Sequence, residues 1–382
     1  MSAPVFELPP YPYDRLSPAL EAAAALDGGA VDLSVGTPCD PPPAAVVKAL
    51  GNSGLERGYP PSVGLPRFRE AAAGWLRRRF AVTADPAAIA ACIGTKEFVA
   101  GLPQLLHLRD PARDTVLYPA VSYPSYAMGA SLAGLRAVPV PVDEQWRLRL
   151  ADVTDSDADR ALCLWVNTPG NPAGGLDDLG EVAAWGRARG VTVFSDECYI
   201  EFTWQTPYGP GGGTSPGRSI LETGPDGVVA VHSVSKRSNM AGVRSGFYAG
   251  DPAIVHWLSE VRKHAGAMTP GPVQIAAAVA LDDDDHVEAQ RVRYLGRLER
   301  MAALLGRIGL DVAMPGGAFY LWVAAPGGDA WGLTERLAGD LGMIVAPGEF
   351  YGDAGAGHVR VAVVQPDDRI ALLERRVEES GR

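Results

Sequence analysis

Val231–Asp251 reads V-H-S-V-S-K-R-S-N-M-A-G-V-R-S-G-F-Y-A-G-D. An apolar run, Val228–Val231, leads into it; Ser233 and Ser235 precede a single lysine, Lys236, and Arg244 stands eight residues further on. The stretch reads as strand, loop, strand. A lysine at the end of a buried strand, flanked by hydroxyls and followed by an arginine, suits a Schiff base to an aldehyde cofactor that also carries a phosphate. Lys236 would hold the aldehyde of pyridoxal 5'-phosphate, and Ser233 and Arg244 would grip the phosphate. The amine must lose its proton to act as a nucleophile, and burial beside a cation such as Arg244 favours that state. The same pattern by itself also describes a solvated turn, so the context has to decide.

Working outward, strands alternate with helices from Ile89 onward, which argues for βαβ units around a mainly parallel sheet. Seven strand candidates are Ile89–Ile93, Thr115–Leu117, Ala137–Val140, Ala161–Val166, Val191–Phe194, Val228–Val231 and Ser245–Ala249. Upstream, an alanine-rich helix covers Leu16–Leu26, and helices follow over Pro43–Leu50 and Gly64–Arg79, the latter with Leu65, Phe68, Ala72, Trp75 and Leu76 at helical spacing. Downstream, Val273–Leu281 and a charged helix over His286–Ile308 precede shorter strands, Leu310–Ala313, Ala318–Val323, Met343–Val345 and His358–Val363, which alternate with helices over Leu333–Leu341 and Asp367–Glu378. The expected architecture is α/β. Residues 41–272 form a large cofactor-binding domain, residues 273–382 a smaller α+β domain, and residues 1–40 pack with the small one.

The chain's 382 residues exceed one typical core, in keeping with two units. With 34 Lys and Arg against 45 Asp and Glu, the net charge of −11 disfavours nucleic acid or an anionic membrane as the main partner and leaves a small molecule as the default. Cys39, Cys92, Cys163 and Cys198 show no C-x-x-C pair, so reduced thiols and a cytoplasmic location are expected. No apolar stretch reaches the ~18 residues needed to span a bilayer, and M-S-A-P-V-F-E-L-P-P lacks the marks of a signal peptide. Gln205–Arg218 is glycine-rich but has no lysine at the P-loop position, and reads as a surface loop. Asp282–Asp285 is a solvated helix start rather than a metal site, because four consecutive carboxylates cannot converge on one ion.

Further motifs fall at strand ends, where open α/β sheets place their ligands. Gly94-Thr95-Lys96-Glu97 opens a helix whose free amides are a phosphate contact or a plain cap. In Tyr118–Tyr126, Tyr123 either stacks on a flat heteroaromatic ring or packs. Asn167-Thr-Pro-Gly-Asn-Pro-Ala-Gly174 offers the Asn171 amide as a donor. Asp196, in Ser195-Asp-Glu-Cys-Tyr199, is a carboxylate among apolar residues and needs a cation such as a protonated pyridine nitrogen. Arg360, in Gly357-His-Val-Arg-Val-Ala362, has the forked donors that match a carboxylate. Gly36, before Pro38, marks a stiff turn where backbone approaches a ligand closely, or an ordinary turn.

Over essentially its whole length the sequence resembles the fold-type I, class I pyridoxal-phosphate aminotransferases. The resemblance rests on N-x-P-x-N-P-x-G with Asn171, D-x-x-Y with Asp196 and Tyr199, S-x-S-K with Ser233 and Lys236, Arg244 eight beyond, and Arg360 near the C-terminus. It implies a mainly parallel seven-stranded sheet of the pyridoxal-phosphate-dependent transferase type. It further implies that Asn171 and Tyr199 bond the cofactor's phenolic oxygen, Asp196 its ring nitrogen, and Thr95, Lys96, Ser233 and Arg244 its phosphate. Tyr59 would reach the phosphate of a neighbouring subunit, implying a homodimer, and Gly36, Asn171 and Arg360 would hold substrate. Within that family, V-D-L-S-V-G-T-P, H-S-V-S-K-R-S-N-M-A-G, V-R-K-H-A-G-A-M, Y-L-W and V-A-P-G-E-F-Y-G are similar to actinobacterial succinyldiaminopimelate aminotransferases. Ala173 departs from the usual threonine, Gly316-Gly-Ala-Phe319 from a more acidic stretch, and the glycine-rich loop is an insertion.

The chemistry this implies is amino transfer between an amino acid, with glutamate as donor, and a keto acid, with N-succinyl-2-amino-6-oxopimelate of lysine biosynthesis as acceptor. Lys236 would be both anchor and proton shuttle, with Asp196 and Tyr199 as its catalytic companions and no metal involved. Lys263 or His264 would read the distal acid of such a substrate. Rivals are an aminotransferase of secondary metabolism, a lyase using the same cofactor, and a catalytically silent ligand-binding module of the same fold.

Overall fold

The computed structural model describes residues 9–51, 54–206 and 215–381, so the core of the glycine-rich stretch, 207–214, lies outside the described residues. In chain order the first elements are α1 (Ser17–Ala24), β1 (Val31–Asp32), α2 (Ala44–Gly51) and α3 (Pro66–Phe80). The alternating region follows: β2 (Ile89–Cys92), α4 (Thr95–Arg109), β3 (Thr115–Pro119), α5 (Ser125–Leu132), β4 (Arg136–Val140), α6 (Asp155–Arg160), β5 (Ala161–Asn167), α7 (Leu179–Arg189), β6 (Thr192–Asp196), β7 (Val228–Ser233), α8 (Val234–Arg237) and β8 (Gly246–Gly250). The remainder comprises α9 (Pro252–His264), α10 (Gly271–Asp282), α11 (Asp285–Arg307), β9 (Tyr320–Ala324), α12 (Ala330–Leu341), β10 (Met343–Ile344), β11 (Ala346–Pro347), β12 (His358–Ala362) and α13 (Asp367–Glu379). Among the described residues no helix is long and apolar enough to cross a membrane.

The seven strands read from the sequence form one sheet in the order β2-β8-β7-β6-β5-β3-β4. Neighbours pair in parallel except at β8, which runs antiparallel to both β2 and β7. Apart from the edge strand β4, whose Arg136 and Pro139 are exposed, the strands read as largely apolar runs because both faces are covered. Along β7, Val228 and Ala230 enter the core shared with α2, α3, α7 and α10, whereas Val229 and Val231 enter the core under α4, α5 and α9. Phe194 and Val193 of β6, and Tyr248 and Phe247 of β8, divide in the same way. This period of two on a doubly covered sheet brings the C-terminal ends of β2, β3, β5, β6 and β7 to one rim, together with the start of β8.

A second core holds the antiparallel sheet β11-β12-β9 against α11, α12 and α13. Tyr294, Leu298, Met301 and Leu305 form the buried stripe of α11 at helical spacing. The N-terminal segment packs here too: Val31 pairs with Met343, and Ala19 and Ala23 of α1 meet Ala338 and Ile344. One expectation needs correction. Leu310–Ala313 is irregular rather than a strand, its apolar alternation finding no sheet partner. Helix α10 buries Ala276, Ala277, Ala280 and Leu281 in the first core with Val46 and Trp75. The acidic run Asp282–Asp285 diverges onto separate arginines, Asp282 to Arg67 and Asp284 to Arg78 at 3.0 Å.

Buried Arg297 of α11 ties the N-terminal segment to this second unit, meeting Asp40 through two bonds of 2.6 and 2.9 Å and Asp367 at 2.9 Å. Burial works to raise the Asp40 carboxyl, but the bonds from Arg297 and Gln290 hold it below the ordinary value. Asp40 therefore stabilises the fold fully above the usual carboxylate range, and that contribution is lost as pH falls through its lowered pKa. Asp40→Asn is expected to lower stability at pH 7 by about 2 kcal/mol in denaturant titrations, the loss narrowing in acid.

Candidate active site

Lys236 is carried not by a plain loop but by the single helical turn α8 that follows β7 directly. Ser233 caps that turn, its hydroxyl accepting from the Ser235 amide at 3.0 Å. The Lys236 Nζ donates to the Gly36 carbonyl and lies 5.9 Å from the Phe319 ring centroid. Burial pushes the amine down to about 8; the Arg360 and Arg244 cations add to this, while Cys198 and Asp196 oppose it. A nucleophilic amine available near neutral pH is the result. Glycine is required at Gly36, where a Cβ would come within 2.8 Å of the Tyr320 ring.

Asp196 ends β6 opposite Asn167 at the end of β5. Its carboxylate accepts from the Tyr126 hydroxyl at 2.8 Å and the Cys198 amide at 3.2 Å, while burial raises its pKa. Asn167 connects this strand end to the next motif, donating to the Asp196 carbonyl and accepting from the Asn171 amide, both at 2.8 Å. Asn171 Oδ1 accepts from Arg360 Nη1 at 2.8 Å. Because arginine can only donate, this fixes the carboxamide and leaves its NH2 as the free donor.

On the phosphate side of the reading, α4 begins at Gly94 with φ of 72°, beside Arg244. A Cβ on Gly94 would lie 2.7 Å from the Arg244 Cζ, so the helix N-terminus and the guanidinium are in direct contact. Arg244 itself has φ of 58°, a left-handed conformation that costs a non-glycine residue about 1–2 kcal/mol and that clusters at functional sites. Thr95 Oγ1 accepts from the Cys198 thiol at 3.3 Å, joining the α4 turn to the Asp196 loop; Lys96 is exposed.

From the second unit, Arg360 enters through β12. It is 3% exposed and bonds the Ser34 carbonyl and, at 3.4 Å, the Tyr13 hydroxyl, while its carbon centre lies 4.3 and 4.7 Å from the ring centroids of Tyr320 and Tyr351. Among the described residues it forms no ion pair, and its Nε has no partner. The Tyr199 and Tyr320 hydroxyls meet at 2.7 Å. Tyr123 packs edge-on against Tyr126, its phenol pushed up to about 12 mainly by burial.

Thus one rim gathers Thr95, Asn171, Asp196, Tyr199, Ser233, Lys236, Arg244, Gly36 and Arg360. Tyr59 is not gathered; it is 96% exposed. Lys263 pairs with Glu260 on an exposed face of α9 at 2.9 Å, and His264 is exposed beside it, so neither meets this rim within the chain. Asn167, Tyr126 and Tyr320 join the rim without having been singled out from sequence. All three stand in quoted motifs, but nothing in the sequence aims their polar atoms.

The donor set fits a phosphorylated pyridine aldehyde. It offers a buried amine with lowered pKa, a buried carboxylate for a ring nitrogen, a helix N-terminus in contact with an arginine, and a guanidinium that forms no ion pair among the described residues. The model of the family described as aminotransferase class I and II matches residues 29–375. The chain is similar to the 4-dedimethylamino-4-oxo-anhydrotetracycline transaminase OxyQ of Streptomyces rimosus, with 43% identity over 380 residues covering 97% of this chain and 99% of that protein. It is 32% identical over 384 residues to the LL-diaminopimelate aminotransferase of Aquifex aeolicus, covering 97% and 96% of the two chains. Among solved structures, a probable N-succinyldiaminopimelate aminotransferase from Thermus thermophilus matches with a TM-score of 0.83 and 31% identity, over 96% of this chain and 100% of that one. The chain therefore belongs to the class I and II aminotransferases, pyridoxal-phosphate-dependent enzymes that move amino groups between amino acids and keto acids.

Proposed function

We propose that this aminotransferase takes its amino group from glutamate and passes it to N-succinyl-2-amino-6-oxopimelate, acting as a cytoplasmic homodimer in which Tyr59 serves the neighbouring subunit. The observation that carries the carboxylate-bearing substrate is Arg360, a buried cation whose hydrogen-bond partners among the described residues are neutral, which matches an α-carboxylate. The diaminopimelate enzymes among the relatives support the acceptor. A second reading takes as acceptor a ring ketone of the kind the OxyQ name describes, and the higher identity to that protein favours it.

Bound pyridoxal phosphate supplies the electron sink for charge developing at the substrate Cα. Thr95, Lys96, Ser233 and Arg244 would hold its phosphate, Asn171 and Tyr199 would donate to its phenolic oxygen, and Tyr123 would stack on its ring. Asp196 would keep a proton on the ring nitrogen. Arg360, with Gly36 and Asn171 beside it, orients the substrate so that Cα faces Lys236. Lys236 would hold the cofactor's aldehyde and, as a free amine, would be the base that takes the Cα proton.

Since the neutral amine is the nucleophile and its pKa lies at about 8, the rate at which apo protein captures pyridoxal phosphate is expected to rise with pH through that value. Stopped-flow absorbance would measure it, and a flat profile would remove Lys236 as the group being titrated. Asp196→Asn keeps the side chain's shape and removes its charge, and should slow the half-reaction roughly 10²-fold or more; a rate within twofold of wild type would make Asp196 merely structural. A coupled assay with glutamate against both acceptors discriminates the two readings: turnover on the ring ketone alone would displace the lysine-pathway acceptor. Release of pyruvate or ammonia instead of amino exchange would point to a lyase.

A further inference from the structure

Tyr320 stands where three of the site groups meet. It lies on β9 in the second unit, is 1% exposed, and its hydroxyl is 2.7 Å from that of Tyr199, which follows β6 in the first. Its ring edge fills the space that glycine leaves at position 36, whose carbonyl accepts from Lys236. Its face lies 4.3 Å from the Arg360 guanidinium carbon. Phe319, the residue before it, provides the ring near Lys236. The partner that its buried hydroxyl requires is supplied by the other unit.

We propose that the Tyr320 hydroxyl is a positioning group for the reaction, donating its proton to Tyr199 so that the Tyr199 proton is free to point at the bound cofactor. This rests on the role proposed above for Tyr199. Two hydroxyls 2.7 Å apart share one proton between them, so one must donate and the other accept. The adjacent Arg360 cation draws charge from the Tyr320 ring, which strengthens Tyr320 as the donor. A hydroxyl that accepts one hydrogen bond donates a stronger one, because each bond in a chain polarises the next. The chain Arg360, Tyr320, Tyr199 thus ends in a strengthened donor aimed at the cofactor's phenolic oxygen. A hydrogen bond from Tyr199 would draw charge off that oxygen and compete with the proton at the neighbouring Lys236 nitrogen for it, so that proton would be held less tightly and lost at lower pH.

Tyr320→Phe removes only the hydroxyl, keeping the ring under Arg360 and against Gly36. The readout is the pH midpoint of the bound cofactor's visible absorbance, titrated without substrate. Relative to wild type the midpoint should move up by about one unit, a tenfold change in proton affinity, and Tyr199→Phe should move it up at least as far. In the Tyr199→Phe background the second substitution should add nothing, since the hydroxyl acts only through Tyr199. An unchanged midpoint in Tyr320→Phe would overturn the proposal, as would an undiminished shift on top of Tyr199→Phe. Wild-type protein that gains no visible band with pyridoxal phosphate would overturn instead the cofactor roles on which the proposal rests.

Discussion

Lys236→Ala should abolish transamination, reducing the rate by about 10⁴-fold or more, and should remove the absorbance of the lysine-bound cofactor while leaving the apo protein folded. Loss of a general base accounts for up to ~10⁴-fold, and loss of the covalent anchor adds to it. The fold should survive because the amine's hydrogen-bond partner is one backbone carbonyl, that of Gly36. Stability gives an independent check on its sign. The folded amine is held at about 8, below the ordinary lysine value of about 10.4. Between those values the unfolded chain binds more protons, so apo stability should rise with pH across that window, and the variant should lack this contribution. Single-turnover kinetics, absorbance and pH-dependent melting measure the three effects. Turnover within tenfold of wild type would sink the catalytic role of Lys236.

Much of this fold is written locally. The inner strands of the main sheet are apolar runs bounded by turns because both faces are buried, and β7 announces itself through Val228–Val231 with no help from the rest of the chain. Leu310–Ala313 shows the limit: apolar alternation licenses a strand, but only a neighbouring edge makes one. The turn α8 was equally out of reach, since four residues are too few to show a helical period, and Ser233 reads as a phosphate contact when it is also a cap. In the site, residues that are chemically unusual where they stand were legible: a lone lysine between hydroxyls, a carboxylate ending an apolar strand, an arginine in a β-strand. Tyr126 and Tyr320 were not, because a tyrosine in an apolar run packs its ring by default. What brings them to the rim is the direction of a hydroxyl toward Asp196 or Tyr199, and those partners lie 70 and 121 residues away in sequence.

Substrate binding should depend most heavily on Arg360. Burying a guanidinium without an acidic partner is unfavourable by several kcal/mol unless other groups stand in for water. Here Asn171 Oδ1, the Ser34 carbonyl and the faces of Tyr320 and Tyr351 do so only in part, since Nε is left without a partner. An incoming carboxylate supplies both the missing charge and the missing acceptor. Lysine at this position would keep the charge but lose the planar fork, so it could not hold Asn171 and a carboxylate together. Arg360→Lys is therefore expected to lower kcat/KM for amino acids by about 10²–10³-fold, chiefly through KM, on the scale of about 3–4 kcal/mol for a buried hydrogen-bonded charge pair. Amines without an α-carboxylate should lose far less, since they present no group for the fork to hold. Steady-state kinetics on glutamate and a matched decarboxylated amine provide the comparison. A KM for glutamate within threefold of wild type would mean that Arg360 serves only to join the two units through Asn171, and the carboxylate would have to be bound elsewhere.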